Sequence, residues 1–235
     1  MKQVALEIVP KLSYRPDLFL IHEGVASFYS ELIDRLPKDR FEIAFVQGVS
    51  RSGKTHLSLR LYDDLLSENV YPILLEGHEL EDWISNESET LKLCQQDWVV
   101  IVDNADSYFK GIAPGESGPF VRMVESLRLV GASLVLLSSA SLDTLPCDEH
   151  VFSRLRPGLG YTIGAPAEHE LSKLLHLLAK QRGLKLKERS TRFLMRRLRR
   201  DVPALESYVD RLLHLSQVLG KSIKFSLVRD AVVFD

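Results

Sequence analysis

The sequence predicts an α/β domain, a parallel sheet sandwiched by helices around a phosphate loop, followed by a small helical C-terminal domain. Three observations predict it. Gly48-Val49-Ser50-Arg51-Ser52-Gly53-Lys54-Thr55 has the phosphate-loop pattern of glycine, four free positions, glycine, lysine and threonine. Strand-like apolar runs then alternate with helical leucine patterns as far as Ile163, as in a doubly wound parallel sheet. From Pro166 onward the pattern is helical throughout. The expected division is an extended partner-binding peptide over 1–12, a nucleotide-binding domain over 13–164 and a helical domain over 165–235, the last boundary lying near Gly164-Ala165-Pro166.

The loop has the context its chemistry needs. Phe41-Glu42-Ile43-Ala44-Phe45-Val46-Gln47 is an apolar run that suits a buried strand, and the leucines after Thr55 have helical spacing. Only glycine lets backbone amides converge on a polyphosphate without a side chain in the way. The helix start adds unpaired amides and the positive end of its dipole. Lys54 would neutralise the outer phosphates, and Thr55 would hold Mg²⁺ through its hydroxyl. The candidate nucleotide-binding residues here are Gly48, Ser50, Arg51, Ser52, Gly53, Lys54, Thr55 and His56, with ADP or ATP as the ligand.

Composition bounds the rest. The 235 residues are 45% hydrophobic with a formal net charge of -2, an ordinary globular balance and not that of a basic nucleic-acid binder. Cys94 and Cys147 lack metal-ligand spacing, no apolar run is long enough for a bilayer, and the start carries no signal-peptide pattern, so a reduced, cytoplasmic protein without membrane contact is expected. Residues 76–106 hold nine acids and one base, whereas 185–200 hold eight bases and one acid. Such runs are expected to be solvated faces, and direct nucleic-acid contact is expected to be weak or absent.

Taken in order, Gln3-Val4-Ala5-Leu6-Glu7-Ile8 precedes Pro10 and is not expected to be helical. Either it is a terminal or edge segment, or it is an extended peptide in which Gln3 anchors to a partner while Leu6 and Ile8 fill a pocket. Asp17-Leu18-Phe19-Leu20-Ile21 is a short apolar entry whose Leu20 and Ile21 are counted as nucleotide-binding candidates, and a helix striped by Phe28, Leu32, Ile33 and Leu36 follows. Tyr71-Pro72-Ile73-Leu74-Leu75 is expected as the second strand, followed by helical turns around Leu80, Trp83 and Ile84 and around Leu91 and Leu93. Trp98-Val99-Val100-Ile101-Val102-Asp103 is a buried strand ending in a carboxylate, the second nucleotide signature, with Asp103 expected in the magnesium shell. Residues 105–119 are expected as a loop and 120–130 as a helix. Ala132-Ser133-Leu134-Val135-Leu136-Leu137-Ser138-Ser139 is a further strand whose tip places Ser138 and Ser139 on the edge shared by Gly53 and Asp103. Tyr161-Thr162-Ile163 is the last expected strand, and helices are expected over 167–182, 187–200, 201–219 and 225–233.

The phosphate loop, Asp103-Asn104, the polar strand tip, the Ser153-Arg154-Leu155 box and the helical end together resemble the AAA-type ATPase modules of the DnaA initiator group. Within that group the chain is most similar to the Hda family of short homologues that inactivate the initiator. Asp103-Asn104 has that family's form, and Gln3 to Ile8 resembles its sliding-clamp-binding motif. Where an initiator continues into a DNA-binding domain, this sequence has Ser222-Ile223-Lys224-Phe225 and a short helix. The resemblance implies an ADP- or ATP-binding regulator with a lid domain. It would dock on the DNA polymerase sliding clamp, self-associate, and offer Arg154 as an arginine finger to a DnaA-type initiator. Asp103 and Asn104 complete the implied catalytic set. Pro203 stands where the family carries a nucleotide-sensing arginine, Ala140 stands near a usual aspartate, and an amide at Asn104 cannot act as a base, so weak or no intrinsic hydrolysis is expected. A helicase-loader or initiator-type module without clamp contact, a pseudo-ATPase scaffold and a small-molecule kinase remain alternatives, the kinase being disfavoured by the lack of an evident acceptor pocket and base.

Overall fold

Strands that are apolar on every residue must be covered on both faces, and the sheet of the larger unit meets that demand. The computed structural model of the chain describes residues 19–36, 41–86, 97–113, 115–220 and 223–233. One compact unit spans Phe19–Glu170, and Leu171–Asp235 belongs to a second.

In the first unit, α1 (Glu23–Arg35) precedes β1 (Ile43–Gln47), α2 (Lys54–Ser67), β2 (Tyr71–Glu76), α3 (Leu80–Ser85) and β3 (Trp98–Asp103). Then come α4 (Ala105–Gly111), α5 (Gly118–Val130), β4 (Ser133–Ser138), α6 (Glu149–Leu155) and β5 (Leu159–Thr162). All strand pairings are parallel and the order is β2-β3-β4-β1-β5. Alternate residues divide between two cores, as the two-residue period of a strand requires. Phe45, Val100, Val102, Leu134 and Leu136 pack with Phe109, Phe120, Met123 and Leu127. Ala44, Val46, Val99, Ile101, Val135 and Leu137 pack on the other face with Leu32, Leu57, Leu61 and Leu65. Each fully buried leucine here contributes about 1.5–3 kcal/mol relative to exposure.

The expected loop over 105–119 is corrected in its first half. Residues 105–111 are helical, and Tyr108 and Phe109 are buried against Phe120, with the Phe109 and Phe120 rings edge-to-face at 5.0 Å. The glycines and prolines that suggested a loop begin only at Gly111, while the aromatic pair before them needs a helix to reach the core. The last strand is Leu159–Thr162, not 161–163. The helical turns expected around Leu91 and Leu93 and the peptide Gln3, Leu6 and Ile8 lie outside the described residues.

The second unit contains α7 (Leu171–Gln181), α8 (Glu188–Leu194), α9 (Val202–Leu219) and α10 (Phe225–Val233). Leu175, Leu194, Leu205, Tyr208, Leu212 and Val228 are buried in its core, and the Tyr208 hydroxyl donates to the Val228 carbonyl at 2.9 Å. Asp201 caps α9, accepting from the Ala204 amide at 2.8 Å, with proline in the first turn and Gly220 left-handed after the end, as its sequence requires. The helix expected over 187–200 stops at Leu194. Beyond it Arg196, Arg197, Arg199 and Arg200 would stack like charges three and four residues apart, which weakens a helix.

Candidate functional site

The phosphate loop leaves β1 at Gln47 and enters α2 at Lys54. Gly53 caps α2 with φ +94°, a conformation that glycine adopts at no steric cost. A Cβ on Gly48 would displace Ser52 Oγ and press on the Ile163 side chain at 3.1 Å, so close packing favours glycine there. The Gly48 amide donates to the Ser138 carbonyl at 2.9 Å, which ties the loop to the tip of β4. Ser50 and Arg51 are exposed, while Ser52, Lys54, Thr55 and His56 are half-buried. Ser52 Oγ is a buried oxygen with no partner among the described residues. Lys54 Nζ donates to the carbonyls of Gly48 at 2.7 Å and Val49 at 3.0 Å, so its ammonium lies across its own loop. Burial pulls that ammonium below its usual range, and the nearby charges of Asp103 and Asp106 oppose the pull. Leu20 is buried and Ile21 exposed at the entry, where the Phe19 ring lies 3.5 Å from a Cβ built on Gly53.

Asp103 is 3% exposed at the end of β3, and one of its oxygens accepts from the Asn104 amide at 2.9 Å. Asn104 is left-handed and exposed, capping α4. Two acids that the sequence did not single out join this edge. Glu76 ends β2 in register with Asp103; burial, then the Asp103 charge, raises its carboxyl above the usual range. Asp106, also 3% exposed, accepts from the Ser139 amide at 2.9 Å, from the Ser138 hydroxyl at 3.4 Å and from Lys110 Nζ at 2.6 Å. The Ser138 hydroxyl also accepts from the Ala140 amide at 3.0 Å, so it faces inward, whereas Ser139 is exposed. The signal for Asp106 was its place in the first turn of a helix that the sequence had presented as loop.

Burial pushes the Asp106 carboxyl up, but the Lys110 ammonium and the Ser139 amide outweigh burial and hold it below the ordinary 3.8. A depressed pKa contributes stability that is present above the unfolded value and lost as pH falls through the folded one. Asp106→Asn is therefore expected to be less stable than the parent at neutral pH, with the gap narrowing below about pH 4. Urea unfolding at several pH values measures this, and a gap that stays constant would refute it.

Arg154 lies in the last turn of α6. Its Nε is 3.0 Å from Glu125 on α5, and an Nη donates to the Ser153 hydroxyl at 2.9 Å. Just beyond it, a Cβ added to Gly158 would meet the Ile43 carbonyl at 2.6 Å, which places this end of α6 at the start of β1. The phosphate loop follows the other end of that five-residue strand, roughly 13 Å away at 3.3 Å per residue. The fold thus brings Gly48, Lys54, Thr55, Asp103, Ser138 and Ser139 to one edge and holds Arg154 at the opposite one.

Magnesium sites commonly need only one or two carboxylates plus phosphate oxygens. Among the described residues no group of three or more histidines, cysteines or acids forms a metal cluster. Among the described residues, too, no helix is long and apolar enough to cross a membrane.

Comparison with known proteins places this geometry. Residues 168–231 match the family model of the Hda lid domain. The C-terminal unit is similar to an Hda lid domain. The larger pattern agrees: domain III of the Thermotoga maritima replication initiation protein DnaA is similar with a TM-score of 0.70 and 16% identity, over 93% of this chain and 95% of that one. AMPPCP-bound DnaA from Aquifex aeolicus gives a TM-score of 0.62 at 18% identity, over 88% of this chain and 67% of that one. A Thermotoga maritima RuvB mutant gives 0.65 at 13%, over 94% and 72%. This chain therefore spans about two thirds of the longer DnaA chain. Among curated protein sequences none matches it. The chain thus shares the fold of DnaA domain III, and its C-terminal part is similar to the Hda lid domain.

Proposed function

We propose that this Hda-like chain is a nucleotide-binding regulator of replication initiation that docks on the sliding clamp and stimulates ATP hydrolysis by a DnaA-type initiator. The observation that carries it is the conjunction of an Hda-type lid with an intact phosphate loop. The residues fit a nucleoside di- or triphosphate: close-packed and left-handed glycines, a helix start of unpaired amides, the orphaned Ser52 hydroxyl and the Lys54 ammonium converge on one cradle. Lys54 would exchange its loop carbonyls for phosphate oxygens. Thr55 and Asp103 would hold Mg²⁺, which supplies charge neutralisation when bound. That structures of DnaA hold AMPPCP supports the same ligand class here.

Arg154 acts, on this proposal, across a boundary between chains. Its place at the far end of β1 from its own loop supports a role in trans, and the Glu125 carboxylate orients its fork while it is unengaged. Gln3, Leu6 and Ile8 supply the clamp contact. Weak intrinsic turnover follows from Asn104 and Pro203, neither of which offers a base or a cation.

Binding to a bacterial sliding clamp in the presence of ADP, with and without residues 1–8, tests the tether. Loss of clamp binding with retained nucleotide binding is expected for the truncated chain. Equal clamp binding by both chains would remove the peptide from the proposal and leave an initiator-type module that contacts its partner elsewhere.

A further inference from the structure

The second unit carries a pocket of about 320 Å³ that the phosphate-loop site does not use, lined by Arg189, Arg192, Arg196, Arg197, Phe193 and Phe225. The four arginines are exposed and the two rings half-buried. The rings meet edge-to-face at 5.3 Å between centroids. The Arg189 guanidinium sits 4.5 Å over the Phe225 ring and that of Arg197 5.4 Å over Phe193. Arg192 pairs with Glu188 at 3.6 Å, while among the described residues no carboxylate pairs with Arg189, Arg196 or Arg197. Four cations around one cavity repel one another, and the fold does little to offset that repulsion from within.

We propose that this pocket binds single-stranded nucleic acid. Guanidinium forks match phosphate oxygens, and aromatic rings flanked by arginines offer stacking platforms to unpaired bases. A duplex keeps its base faces hidden, and an acidic peptide supplies charge but little flat surface to stack. Arg189 and Arg192 lie on α8, and Arg196 and Arg197 in the turn after it, enough cations for three to four phosphate contacts along a strand. The basic run on its own is a solvated helix face. It becomes a site because α10 brings Phe225 to it, a juxtaposition outside the run.

Fluorescence anisotropy of the full chain with labelled oligo(dT) at low salt tests the proposal, with oligo(rU) in parallel to tell DNA from RNA. Micromolar binding of either strand is expected, with log K falling against log salt at a slope of about -2 to -3, as three to four phosphate contacts require. The charge reversal Arg189→Glu with Arg196→Glu is expected to weaken binding at least tenfold while thermal melting and nucleotide binding stay unchanged. Phe225→Leu keeps an apolar side chain but loses the ring, and is expected to weaken binding about five- to tenfold at unchanged salt slope. No binding of either oligonucleotide at low salt would overturn the proposal. So would affinity untouched by the charge reversal, or a polyglutamate peptide or duplex competing as well as the single strand.

Discussion

Arg154→Ala is expected to reduce stimulation of a DnaA-type initiator's ATP hydrolysis by about a thousandfold or more, the range measured for arginine fingers, while leaving folding and nucleotide binding intact. The separation is structural. Arg154 is half-exposed, and its partners Glu125 and Ser153 remain in reach of water when it is removed, so no buried charge is orphaned. Arg154→Lys is expected to recover little, because an ammonium cannot present the planar fork. Phosphate release by the initiator, with this chain and the clamp in excess, measures the effect, and melting curves with ADP provide the control. Stimulation that survives the alanine variant would sink the finger assignment. Glu125→Gln adds a second readout: if Glu125 merely orients the fork, stimulation should change far less than for Arg154→Ala.

The second large effect concerns stability. Phe109→Ala is expected to cost about 3–5 kcal/mol. Phe109 is fully buried on α4, with its ring 5.3 Å from Tyr108 and 5.0 Å from Phe120, so truncation leaves a cavity that rigid strands β3 and β4 cannot collapse into. Because α4 also carries Asp106, loosening it should weaken the tie to the Ser139 amide and disturb the phosphate-loop edge. Leu129→Ser, at a position 87% exposed, is the control and should stay within about 0.5 kcal/mol. Equilibrium urea unfolding of the two variants decides this. Similar small losses in both would mean that α4 is peripheral to the core, contrary to its packing.

These predictions fall on either side of what the sequence makes legible. The phosphate loop is a local device. Its pattern lies within eight residues, and the structure has the strand, the left-handed Gly53 and the helix start that the pattern predicts. The buried central strands declare themselves by apolar runs, because helices on both faces confine polar residues to the strand ends. Asp201, Pro203 and Gly220 set the limits of α9 by capping, which is also local. A resemblance to the Hda group was available from the same short motifs, and the match of residues 168–231 to the Hda lid agrees with it.

What only the tertiary structure decided depends on residues distant in sequence. Helix α4 is hidden beside a glycine- and proline-rich stretch, and it forms because Tyr108 and Phe109 find Phe120. Glu76 joins the phosphate-loop edge through the register of β2 on β3, and Asp106 through a hydrogen bond to the next strand's tip. Arg154 is placed at the end of the sheet away from its own loop because α6 must descend to start a parallel strand. The arginines of the second unit become a pocket only once Phe225 packs beside them. Backbone conformation and periodicity are written residue by residue, whereas the meeting of side chains depends on long-range packing, which no local pattern encodes.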